Sequence, residues 1–99
     1  MLDTKEFVEE DLFELINGAF DPEEASEILG HLIEKKINFH GKKDFSSQIR
    51  FGTNDGHSLR RIAELKEAKG RILEIVENAK AENQQLRIAA TISISPIPH

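Results

Sequence analysis

Leu86-Arg87-Ile88-Ala89-Ala90-Thr91-Ile92-Ser93-Ile94-Ser95 is the stretch on which the fold turns. Leu86, Ile88, Ala90, Ile92 and Ile94 alternate with Arg87, Ala89, Thr91, Ser93 and Ser95, so the period is two and one face is apolar. β-branched residues are frequent, and Pro96 and Pro98 close the run, which reads as a strand over 86–95 with a tail at 96–99. A lone strand leaves its ladder of amides and carbonyls unpaired, so it needs a partner.

The candidate partner inside the chain is 11–17, after an N-terminal tail at 1–10 and ahead of an expected turn at Gly18. Taken alone this segment is ambiguous. Val8, Leu12, Leu15, Ile16 and Ala19 fit a helical stripe with Thr4 as a cap, and Phe13 and Leu15 fit a strand face less cleanly. The orphan strand tips the balance towards a strand. If 11–17 is helical instead, 86–95 must pair with a copy of itself in a dimer.

Between the two strands lie two helical patterns. Asp21-Pro22-Glu23-Glu24 is a start signal: an acceptor side chain at the cap, a proline at the first helical position, and a Glu that completes a capping box. Ala25, Ile28, Leu29, Leu32 and Ile33 follow at helical spacing, with Phe39 and His40 continuing the stripe, and the helix is expected over 22–49. Residues 51–56, Phe51-Gly52-Thr53-Asn54-Asp55-Gly56, are dense in turn formers. A second helix is expected over 57–82, with Ile62, Leu65, Ala68, Ile72, Val76 and Ala79 as its core stripe and Leu59, Leu73 and Ile75 at the margins. The whole reads as a single small α+β domain, mostly helical, in the order β-α-α-β. A long antiparallel helical hairpin accompanies a small antiparallel sheet that a dimer is expected to complete.

Composition narrows the function classes. The 99 residues include 29 Leu, Ile, Val and Phe, enough for a folded core. There is no Cys, so a disulfide framework, a thiolate metal site and a cysteine nucleophile are excluded. No apolar run approaches the length of a membrane span and no secretory leader is visible, so a cytoplasmic protein with no membrane partner is the expectation. The net charge of −5 hides a polarity. Residues 1–30 carry ten acids against Lys5, which is −9, while residues 31–75 carry ten bases against six acids, which is +4. Such an asymmetry steers partners or pairs regions of the same protein.

The candidate functional residues are polar groups on helix faces that should be apolar. Lys36, Lys43, Ser47 and Arg50 project along the line of Leu29 and Leu32, and Ser58 and Arg61 along that of Leu65 and Val76. Folding the hairpin about Thr53–Asn54 sets Arg50 opposite His57, Ser47 opposite Arg60, Asp44 opposite Ala63 and His40 opposite Glu67. The cluster to examine is therefore His40, Asp44, Ser47, Arg50, His57, Arg60, Arg61 and Glu64. Its structural reading is a tip held by internal pairs such as Arg61–Asp44 or Lys43–Glu64. Its functional reading is a site for an anion or an acidic partner on Arg50, Arg60 and Arg61.

Metal binding is disfavoured: there is no HExxH and no paired His at helical spacing, and His31 with Glu34 is a weak pattern. A Ser47/His57/Asp44 triad lacks a nucleophile elbow and an oxyanion loop. The Gly52–Ser58 loop lacks the lysine ending of a phosphate loop. The expectation is thus a non-enzymatic oligomerisation and protein-interaction domain without cofactor, forming a homodimer. The runner-up is a nucleic-acid- or anion-binding module on the basic hairpin face, disfavoured by a pI near 5.3 and by the absence of Tyr and Trp.

Overall fold

A computed structural model describes residues 10–99. The elements run β1 (Asp11–Phe20), α1 (Pro22–Phe51), α2 (Gly56–Ala81) and β2 (Leu86–Ile94). The fold is α+β, with an antiparallel helical hairpin between two strands that pair in a two-stranded antiparallel sheet. The strand assignment of the ambiguous segment holds. β1 runs straight through Gly18 to Phe20, so the expected turn there is absent.

Two compact units divide the chain, one built from the residues up to Ala19 with Arg87–His99, the other from Phe20–Leu86. In the first, Arg87 donates to Asn17 Oδ1 across the sheet at 3.3 Å, and the Ser93 hydroxyl bonds to Glu10. Leu12, Phe13, Leu15, Ile92 and Ile94 are all exposed.

The second unit is the hairpin. Pro22 opens α1, and the Asp21 amide donates to Glu24 Oε1 at 3.0 Å, the return arm of a capping box. Asp21 Oδ1 also accepts from Gln85 just past α2, at 3.1 Å, which ties the base of the hairpin together. α1 ends at Gly52, whose φ of 74° lets its amide turn back to the Gln48 carbonyl at 2.9 Å. A residue with a side chain is strained in that left-handed cap. α2 ends in a Schellman motif with Asn83 (φ 56°) in the glycine position: Gln84 N bonds to Ala79 O and Asn83 N to Lys80 O.

The helices are 30 and 26 residues long, about 45 and 39 Å at 1.5 Å per residue. Along the seam between them the half-buried and buried residues of α1 include Ala25, Leu29, Ile33, Ile37, His40, Asp44 and Ser47. Those of α2 are Ser58, Arg61, Leu65, Ile72, Val76 and Ala79. Fully buried apolar side chains are few among the described residues: Ala25, Val76 and Ala79. The seam is greasy at the base and polar at the tip, and the polar half belongs to the candidate site. Gly30, Gly41 and Gly70 sit inside the helices at a cost of about 1 kcal/mol each relative to alanine.

Candidate functional site: a polar hairpin tip

Asp44 organises the tip. Its carboxylate accepts the backbone N–H of Asp55 at 2.7 Å, the Asn54 side-chain amide at 3.2 and 3.3 Å, and Gln48 Nε2 at 2.8 Å. Asp55 is the cap of α2, so a side chain from the neighbouring helix supplies an acceptor at the α2 N-terminus. These bonds, the Asp55 amide foremost, hold the Asp44 carboxyl below the usual carboxylate range against the opposing effect of burial.

One turn deeper, His40 and Ser58 are buried. Ser58 Oγ donates to Asp55 Oδ2 at 2.6 Å and lies 3.3 Å from His40 Nδ1. With the hydroxyl proton committed to Asp55, the serine oxygen accepts, and the network assigns the imidazole proton to Nδ1. His40 Nε2 is then a bare lone pair, buried and without a partner among the described residues. Phe39 and His57 approach the ring edge-on at 5.3 and 6.1 Å. Burial, and then the charges of Lys36, Arg61, His57 and Lys43, push the His40 pKa down, so the ring is held neutral.

The remaining candidate residues are spread around this network. Ser47 donates to the Thr53 carbonyl at 2.8 Å, which closes the linker onto α1. Arg61 pairs with Glu64 on its own helix rather than with Asp44, and Arg60 donates to His57 Nδ1 at 3.2 Å. Arg50 lines a cavity of about 320 Å3 with Lys43, Ser46, Ser47, Phe51 and Asp55. The expected Arg61–Asp44 and Lys43–Glu64 pairs are therefore replaced, and the expected facing of residues about Thr53–Asn54 is displaced. Asp44 sits level with Asp55 and His40 with Ser58, because residues 52–55 run back along the last turns of α1 instead of crossing at its end. Lys36, Lys43 and Arg50 lie outside the seam; Lys36 and Lys43 stand over the Phe39 ring at 4.9 and 5.8 Å from its centroid.

Ser47, His57 and Asp44 have separate partners, so the paper triad is not assembled. His40, Ser58 and Asp55 do form a chain, with serine in the middle and its oxygen buried away from any substrate. No group of three His, Asp or Glu side chains among the described residues is placed to hold a metal ion. Asn54, Asp55 and Gln48 were not among the expected site residues. The Asp55-Gly56-His57-Ser58 run carried a hint, since a cap Asp followed three residues later by a hydrogen-bonding side chain is a helix-start pattern.

Two flanks border the seam. One carries Phe39 with Lys36 and Lys43. The other opens into a groove of about 530 Å3 lined by Ile37, Asn38, Gly41, Lys42, Phe45, Ile62 and Lys66. On this second flank Lys69 bridges to Glu34 across the helices at 2.7 Å, which holds the Glu34 carboxyl below its usual range. No helix of the described residues is long and apolar enough to cross a membrane. Comparison with protein-family models, with curated proteins and with solved structures finds no match.

Proposed function

We propose that this chain is a cytoplasmic, non-enzymatic oligomerisation and protein-interaction module that works through its helical hairpin and forms homodimers. The observation that carries the reading is the distribution of apolar surface. Phe45, Ile49 and Phe51 are 64, 70 and 73% exposed on the last turns of α1, and Phe39 is 51% exposed, whereas the fully buried apolar side chains among the described residues are two alanines and a valine. Large apolar groups left in water on consecutive turns of one helix support association through this part of α1. The polar tip supports the same reading, since the bonds of Asp44 and Ser58 are used to join α1, α2 and their linker. Size-exclusion chromatography with light scattering between about 1 and 500 µM tests it. A dimer that dissociates on dilution is expected; a monomer at every concentration overturns it.

A second reading, binding of an acidic polymer such as nucleic acid, is favoured by the two lysines held over Phe39. Arg60 and Arg61 are already engaged by His57 and Glu64, which weakens it. A mobility-shift assay at low salt is expected to show no retardation at micromolar protein.

A further inference from the structure

The groove flank of the hairpin has an order along its length. On α1, Glu23, Glu27, Gly30, Glu34, Ile37, Gly41 and Phe45 recur every three or four residues and so lie on one line. Its base end is acidic. Its tip end carries the groove, with Lys42 and Lys66 on the rim and Ile37, Phe45 and Ile62 as walls. No ion pair among the described residues takes Glu23, Glu27, Lys42 or Lys66.

Packing within the chain does not account for the small residues on this line. A Cβ at Gly30 or at Gly41 would meet no neighbouring atom within 4 Å, although each glycine weakens the helix. Space has been left open beside an apolar groove, and charges of opposite sign stand at the two ends of the flank.

Resting on the association reading above, we propose that the groove flank receives the same flank of a second copy, with the two α1 helices antiparallel about a two-fold axis at the level of Lys35. Gly30 and Gly41 lie five residues below and six residues above Lys35. The axis therefore sets Gly30 of one copy beside Gly41 of the other and allows the helix backbones to approach closely. The same operation brings Glu27 of each copy to within about one residue, ~1.5 Å along the axis, of Lys42 of the other. That is inside the reach of both side chains. Ile37 then lies in the space between, Phe45 stands just outside the Lys42 contact, and the Glu34–Lys69 bridges stand near the axis. The contact is isologous, so it closes at two copies.

Three kinds of variant test the arrangement by analytical ultracentrifugation, with circular dichroism to confirm folding. Lys42→Glu alone and Glu27→Lys alone place like charges together at both symmetric contacts, and each is expected to raise the dimer dissociation constant at least 10-fold. An equimolar mixture of the two variants restores opposite charges at both contacts and is expected to recover the wild-type constant as a heterodimer. Gly41→Leu fills the groove and is expected to abolish the dimer while the hairpin stays helical. A dimer unaffected by Lys42→Glu and Gly41→Leu overturns this interface; if Ile92→Lys then dissolves it, association stands and the sheet carries it. Single reversals that weaken the dimer without rescue in the mixture overturn the antiparallel pairing. A wild-type chain that is monomeric throughout overturns both this interface and the function it rests on.

Discussion

His40 is a buried ring whose two nitrogens have different surroundings, one bonded to Ser58 and one bare. Burial and four neighbouring cationic or ionisable groups keep it neutral in the fold, whereas in the unfolded chain it takes a proton near pH 6.5. The unfolded state therefore binds more protons below that pH, and stability falls as the solution is acidified through it, until the folded ring also protonates. The urea midpoint is expected to drop between pH 7.5 and pH 5.5, and His40→Asn, which can still donate to Ser58, is expected to flatten that drop. A variant with the wild-type slope would assign the pH response to another group. Asp44 has the opposite dependence on its charge: its depressed pKa contributes stability above about pH 4, lost as pH falls through the folded value. Asp44→Ala removes the acceptor of the Asp55 amide and is expected to lower the melting temperature by about 5 °C or more, read by calorimetry at pH 7. Ser58→Ala leaves both the His40 Nδ1–H and the Asp55 carboxylate without their shared partner and is expected to cost about 1–3 kcal/mol in urea unfolding.

At the level of elements, the hairpin depends on how each helix stops. Gly52 adopts φ 74° so that the chain can turn and run back along α1. Gly52→Ala is expected to destabilise the hairpin by about 1 kcal/mol, measured from denaturant unfolding, with Gly52→Asn milder because asparagine tolerates the left-handed region. That backward run also explains what the amino-acid pattern did and did not reveal. The period-two run from Leu86, the Asp21-Pro22 start and the turn formers after Phe51 each have a local cause, so the elements were legible. Which residues face each other across the seam has no local cause. It depends on the path of four linker residues, and on α1 having apolar groups on several sides. Leu32 and Phe39 drew the expected stripe towards Lys36 and Lys43, whereas the seam follows Ile33, Ile37, His40 and Asp44. The polar character of the tip was visible for the same reason that its pairing was not: spacing reports a face, and hydrogen-bond partners depend on level.

At the scale of the whole molecule, the uneven charge and the order of the elements matter more than any single contact. The acids of the first 30 residues and the bases of 31–75 favour antiparallel contacts between copies, so added salt is expected to weaken the proposed self-association. Sedimentation at 50 and 500 mM NaCl checks this, and an association that strengthens with salt would point to an apolar contact alone. The sheet carries a different consequence. The hairpin lies between β1 and β2, and 65 residues separate Phe20 from Leu86. On a ribosome adding about 5–20 residues per second, β1 emerges roughly 3–13 s before its partner exists. During that interval its backbone is an open template, and the nearest matching segments are on sibling chains of the same polysome. Hairpin formation, which needs only local contacts, shortens the search once β2 arrives, so sequences that slow α1–α2 pairing should raise co-translational aggregation before they affect the finished fold.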